Sequence, residues 1–188
     1  LPTNLKTIEA HSFDNCESMY LNENIPDSIE TIGDYAFNGC YNFKCINNDS
    51  TGLNLGNITN INNSTFCGCH SLKKVNINDN IESIEENAFE GCSLLTNVIV
   101  SNKSNLTSIQ ANAFKNCGSL VELYLPASLS YIGPYAFENC TSYKGGDYQT
   151  YKDPETSEIK QKYYLSIPKS LTSIEEYCFS ESGIEEIR

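Results

Sequence analysis

Apolar positions recur in columns along the whole chain. Seven phenylalanines share one register, Phe13, Phe37, Phe66, Phe89, Phe114, Phe137 and Phe179. Five residues before each stands an isoleucine: Ile8, Ile32, Ile61, Ile84, Ile109, Ile132 and Ile174. Three residues earlier still comes Leu or Ile, at Leu5, Ile29, Ile58, Ile81, Leu106, Leu129 and Leu171. Three residues after six of the phenylalanines stands a cysteine, Cys16, Cys40, Cys69, Cys92, Cys117 and Cys140, with Ser182 in the seventh copy. A fixed-period self-similarity of this kind marks a solenoid, in which each coil buries its apolar side only against its neighbours.

The basal period is 23 residues, from Phe66 to Phe89 and again from Phe114 to Phe137. Other spacings are longer, by six residues between Phe37 and Phe66 and by 19 between Phe137 and Phe179. Extra residues must loop out if the buried columns are to stay stacked, which places insertions near 47–56 and 144–162. The whole of 1–188 reads as a single array of seven copies. It begins inside a repeat, because LPTNL at Leu1–Leu5 matches LPASL at Leu125–Leu129, and it stops inside one after Arg188. The expectation is therefore an array truncated at both ends, the same chain continuing beyond each.

Within a copy, Leu120–Pro126 alternates Leu123 and Leu125 inward against Glu122 and Tyr124 outward, the period of a strand. Pro26, Pro126 and Pro168 end the pairing. The next short segment, Leu106–Ile109 in the fifth copy, is predicted to be extended. Stretches such as Glu85–Gly91 suit about one helical turn. The Gly or Asn before each column cysteine (Asn15, Gly39, Gly68, Gly91, Asn116, Asn139) is a residue that readily takes the left-handed conformation ending such a turn. The predicted fold is a leucine-rich-repeat solenoid, with a parallel sheet on the concave face and short helical turns opposite.

The pattern read from Leu106, Ile109, Ala113, Phe114, Cys117, Leu120, Leu123, Leu125 and Pro126 resembles the BspA-like leucine-rich repeats of bacterial and protist surface proteins. The resemblance runs over essentially the whole chain. It implies an adhesin-like surface-exposed or secreted binding protein with a protein or glycan ligand, and it carries no catalytic residues to transfer.

Charge narrows the partners. A net charge of -12 repels phosphates, which argues against nucleic acid and anionic membrane surfaces, and no run approaches the 18 or so apolar residues of a membrane span. The nine cysteines invite a disulfide or metal reading, but parallel side chains in a stack do not point at one another, and Cys packs well as a small hydrophobe. The column cysteines are expected to be unbridged and inaccessible. Cys45, Cys67 and Cys178 fall outside the column. Cys67, Cys69 and His70 spell CGCH, with no second cluster to complete a tetrahedral site. His11 and His70 lie in different copies with no HExxH or GxSxG motif, and the pairs Glu85–Glu86, Glu175–Glu176 and Glu185–Glu186 read as a solvated acidic face. No enzyme, cofactor or metal is expected. Of seven Asn-x-Ser/Thr sequons, Asn48 and Asn102 lie in looped-out segments and are the better glycan acceptors; Asn139 is a poor one.

Outward strand positions are Lys74, Asn76, Asn97, Ile99, Glu122, Tyr124, Tyr164, Ser166 and Glu186. Residues 143–164 hold five of the twelve tyrosines and read as a protruding β-hairpin. Tyrosine offers broad contact area with few rotatable bonds, so the candidate partner-binding residues are Ile99, Glu122, Tyr124, Tyr148, Tyr151 and Tyr164. A solvated insertion whose tyrosines merely cover neighbouring coils is the other reading of the hairpin. The alternative for the chain as a whole is an intracellular structural scaffold.

Overall fold

The computed structural model describes residues 1–45 and 52–188. Asn48 and the first part of the 47–56 insertion lie outside the described residues. The chain winds as a β-solenoid with two parallel sheets along its length. The main sheet holds β3 (Leu53–Asn54), β5 (Lys74–Ile77), β7 (Asn97–Val100) and β9 (Glu122–Leu123), in the order β3-β5-β7-β9. The second holds β4 (Asn60–Ile61), β6 (Ser83–Ile84), β8 (Ser108–Ile109) and β10 (Tyr131–Ile132), and the equivalent β1 (Thr7–Ile8) and β2 (Thr31–Ile32) pair with each other. Pairing is in repeat register, Val75 beside Val98 beside Leu123 and Ile61 beside Ile84 beside Ile109. Leu53 pairs with Val75 and Leu55 with Ile25, so 53–55, expected within the 47–56 insertion, belong to the sheet.

The columns form the core. The phenylalanines from Phe13 to Phe179 make one unbroken stack, each ring 5.2 to 5.5 Å from the next and nearly parallel to it. Offset stacking at this spacing suits aromatic quadrupoles and adds to burial worth roughly 1.5 to 3 kcal/mol per side chain. The isoleucine column is buried from Ile8 to Ile132, but Ile174 is 49% exposed. No strand covers it: the second sheet ends at β10.

The side opposite the main sheet is not helical. Its backbone N–H groups alternate between two kinds of partner. Ala36, Asn38 and Cys40 donate three residues back, to Gly33, Tyr35 and Phe37, at 3.1 to 3.3 Å. Tyr35, Phe37 and Gly39 donate instead to Asn63, Thr65 and Cys67 of the next coil, at 2.8 to 2.9 Å. A helix would send every N–H four residues back within the coil. It is broken here because left-handed residues occur twice per turn. One, two residues after Phe, is the Gly or Asn expected from sequence in six coils and Glu181 in the seventh. The other lies two residues before Phe, at His11, Tyr35, Ser64, Asn87, Asn112, Tyr135 and Tyr177, with φ between 53° and 59°. The coils are thus joined backbone to backbone on this side too.

The cysteine column has a polar role besides packing. Each thiol donates to the carbonyl of the phenylalanine one coil back: Cys40 to Phe13, Cys69 to Phe37, Cys92 to Phe66, Cys117 to Phe89 and Cys140 to Phe114, at 3.0 to 3.2 Å. That carbonyl already accepts the N–H of its own coil's cysteine, and the thiol fills its second lone pair. None of the nine cysteines is bridged to another. Cys16 departs from the expectation of inaccessibility: it is exposed. Burial pushes the Cys40 thiol up to about 11 and Cys140 to about 12, and holds Cys69, Cys92 and Cys117 well above the ordinary value near 9.

A thiol reagent should therefore modify Cys16 at once and Cys67 slowly, and should reach Cys92 and Cys117 only after denaturation. A thiol whose pKa is higher folded than unfolded supports the fold fully below the unfolded value, near 9, and loses that support as pH rises through 11 to 12. Melting temperatures measured from pH 8 upward should fall over that window, and less steeply in the Cys92→Val, Cys117→Val double variant.

Candidate functional site

The outer face of the main sheet carries two rows of side chains. Lys74, Asn97 and Glu122 stand side by side across β5, β7 and β9, and Asn54, Asn76 and Ile99 form the second row, which Tyr124 continues one residue past β9. Amide contacts link the coils: Asn76 Nδ2 donates to Asn54 Oδ1 at 2.5 Å, and Asn97 Nδ2 donates to the Glu122 carboxylate. Toward Ile99 and Tyr124 this amide network gives way to carbon. Both side chains are nearly half exposed, at 47% and 46%, on a face that no other element crosses among the described residues.

Beyond Tyr124 the sheet is interrupted by the insertion. Two antiparallel strands, β11 (Asp147–Lys152) and β12 (Ile159–Tyr164), pair along six residues each, Asp147 opposite Tyr164 and Lys152 opposite Ile159. β12 runs straight into Leu165, which is buried and pairs with Ile187, so the hairpin prolongs the strand of its own coil beyond the solenoid wall. Gly145 and Gly146 permit the exit. Gly145 has φ +90°, and a side chain there would strike the Tyr164 carbonyl; one at Gly146 would lie 2.7 Å from Leu123 O and 2.9 Å from Tyr124 Cα. Beneath them Tyr143, fully buried, stacks on Phe137 at 5.3 Å, and its hydroxyl donates to Leu123 O at 2.9 Å, the carbonyl that a continuous sheet would have paired.

Strand alternation sorts the candidate residues. Leu165 points inward, so Tyr164, Lys162 and Lys160, with their partners Asp147, Gln149 and Tyr151, share the outer face with Ile99, Glu122 and Tyr124. Tyr148 is on the reverse face of the hairpin, its ring 5.8 Å from that of Tyr163. Tyr151 and Tyr164 thus share one face of the hairpin and Tyr148 the other, while Tyr148 and Tyr163 both lie near enough to Tyr124 for their charges to act on its hydroxyl. Two residues beside these candidates, Arg188 and Asp147, were missed from sequence. Arg188 lies over the Tyr164 ring at 4.1 Å, bonded to Glu186 at 2.5 Å and to Gln149 at 3.2 Å. Asp147 enters beside Tyr124. Their signal was parity: Arg188 lies two residues after the outward Glu186.

The hairpin tip is locked by one side chain. Asp153 accepts the N–H groups of Glu155 and Thr156, both at 2.9 Å, and pairs with Lys160. The lysine and the two amides bring its carboxyl down to about 2.

The other chemistry considered from sequence is dispersed. Cys69 is buried on the Phe37 carbonyl, Cys67 lies between surface and core, and the His70 ring stacks on Tyr41 at 5.0 Å. No group of His, Cys, Asp or Glu among the described residues is arranged to hold a metal ion. None of their helices is long and apolar enough to cross a membrane. Glu186 is tied to Lys162 and Arg188, and Glu185 to Lys144. The Asn139 amide nitrogen donates to Asn116 Oδ1 at 2.9 Å.

A solenoid with Leu, Ile and Phe columns, parallel sheets and a 23-residue period is a leucine-rich-repeat protein. The model of the BspA type leucine rich repeat region matches in six copies, over residues 1–57 and 157–188. Solved structures share the fold. A leucine-rich repeat protein from Eubacterium ventriosum superposes with TM-score 0.71 at 26% identity, over 98% of this chain and 42% of its own. A leucine rich cell surface protein from Faecalibacterium prausnitzii gives 0.64 at 20% identity, over 97% and 56%. The T. pallidum leucine rich repeat protein gives 0.62 at 20% identity, over 100% and 66%. The chain thus spans less than two thirds of each of these proteins. No curated protein matches its sequence significantly.

The Asp153 lock has a defined acid response. A carboxylate with a depressed folded pKa supports its structure above its unfolded value, near 4, and loses that support as pH falls toward 2. NMR should show the Glu155 and Thr156 amides shifting and broadening between pH 4 and 2 while the core methyl signals stay in place. In Asp153→Asn the loosened tip should already be present at pH 7.

Proposed function

We propose that this array is a non-enzymatic binding module, displayed at a cell surface or secreted, whose outer sheet face and hairpin recognise a protein or glycan partner. The observation that carries the reading is the exposure of Ile99, Tyr124 and Tyr151 on either side of Tyr164, whose ring lies under Arg188. There an apolar and aromatic surface is bordered by amides and carboxylates and walled by a hairpin fixed at base and tip. Recognition surfaces combine aromatic anchors with a polar rim in this way, and extended solenoid faces present them without a pocket. The leucine rich cell surface protein among the structural neighbours and the BspA-type repeats support surface display. An intracellular scaffold would suit nine reduced thiols, yet seven of the nine are buried, where an oxidising compartment would find few to pair.

A panel of immobilised extracellular proteins and a glycan array tests the proposal. The chain should bind selected members, and a variant with residues 147–163 replaced by a short Gly-Ser linker should lose at least tenfold in affinity while its melting temperature stays within a few degrees, since the core columns are untouched. Equal binding by the variant would move the site elsewhere on the solenoid.

A further inference from the structure

The chain pairs a tyrosine ring with a cation and a carboxylate at two places, and at a third it supplies the ring and carboxylates alone. Lys115 lies 5.0 Å over Tyr135 and is bonded to Glu138 at 2.6 Å. On the outer face Arg188 lies over Tyr164 and is held by Glu186. One coil earlier on that face, Tyr124 stands two residues after Glu122, and the close approach of Gly146 to its Cα brings Asp147 alongside. Desolvation first, then the charges of Asp147 and Glu122, hold the Tyr124 hydroxyl above its ordinary pKa. Among the described residues no cation lies over the Tyr124 ring and Asp147 has no ion-pair or hydrogen-bond partner, while Glu122 accepts from Asn97. By contrast, Lys144, Lys160, Lys162 and Arg188 around the hairpin are each spent on another carboxylate.

We propose that Tyr124, Glu122 and Asp147 together receive an arginine or lysine side chain from a basic segment of a partner protein. A cation over a phenol ring is attracted by its quadrupole, and here two carboxylates reinforce the attraction on either side. The ring and the apolar Ile99 beside it would cover the aliphatic stem. Charge complementarity favours this occupant over a neutral saccharide: a chain of net charge -12 attracts basic partners and speeds their encounter. The inference rests on the binding-module reading and narrows it to a protein ligand.

The test uses the whole chain and two probe peptides, acetyl-GRGRG-amide and its counterpart with citrulline, a neutral isostere, in place of arginine. Amide NMR shifts are followed in 20 mM salt. The arginine peptide should shift Tyr124, Asp147 and their neighbours with an affinity at least about tenfold above that of the citrulline peptide, and the gain should shrink in 0.5 M salt. Tyr124→Phe should keep that preference, whereas Tyr124→Leu and Asp147→Asn should each diminish it. Equal binding of the two peptides, or an arginine preference unchanged in Tyr124→Leu, overturns the inference. So does a maltoheptaose titration that shifts the same residues when the arginine peptide does not. The protein and glycan panel, scored on the hairpin-less variant, decides the binding-module reading separately.

Discussion

Everything in this molecule follows from a coil too short to satisfy itself. A repeat of 23 residues closes one turn with two brief strands and a pair of tight bends, and few of its backbone groups find partners within it. The rest must bond to the coils on either side. On the two sheets this is ordinary parallel pairing. On the remaining side it is the alternating pattern in which Tyr35, Phe37 and Gly39 reach the next coil while Ala36, Asn38 and Cys40 turn back on their own. Because an unpaired buried N–H or carbonyl costs about as much as a lost hydrogen bond, the spacing between coils is set by backbone geometry, and the side chains are those that tolerate it. Parallel Phe rings, a small residue before each, and a cysteine able to give its proton to a carbonyl one coil away meet that requirement.

The same constraint explains where the chain departs from its period. The hairpin insertion opens between the column position three residues after the cysteine and the next inward strand residue, from Tyr143 to Leu165, where the path leaves the wall without displacing the Phe, Ile or Cys columns. Phe43 and Tyr143 share this column position and are aromatic where Met19, Leu72, Leu95 and Leu120 stand in other coils. Phe43 fills the core against Phe37 and Phe66, and Tyr143 fills it against Phe137 while its hydroxyl serves the carbonyl that the broken sheet leaves at Leu123. The hairpin is therefore anchored in the core, and the outer face beside it is held rigidly enough to recognise a partner.

Much of this was readable from residues alone. The Phe, Ile and Cys columns located the core, and the outward strand positions located the face on which Ile99, Glu122 and Tyr124 stand. The helical turns were not readable as turns of another kind, because the second left-handed position is filled by His11, Tyr35, Ser64, Tyr135 and Tyr177, residues that advertise no such conformation; only Asn87 and Asn112 hint at it. A glycine-or-asparagine rule sees one such site per coil and infers a helix ended by it. The grouping of Tyr148 with Tyr151 is a different matter. Three residues apart on one strand, they must face opposite ways whatever the register, and the sequence already excluded their acting together on one surface. Arg188 over Tyr164 and Asp147 beside Tyr124 depend on how the hairpin meets coils far away in sequence, which no local pattern encodes.

The backbone ladder between coils is the point on which the account stands, and scalar couplings across hydrogen bonds observe it directly. The Phe89 amide nitrogen should couple to the carbonyl carbon of Ala113, its acceptor one coil away at 2.8 Å, and the Cys92 nitrogen to that of Phe89 within the coil. A coupling from Phe89 to the carbonyl of Glu85, four residues back, would mean a helical turn, and would contradict the cross-coil bonding from which the spacing, the cysteine column and the rigid outer face have been derived.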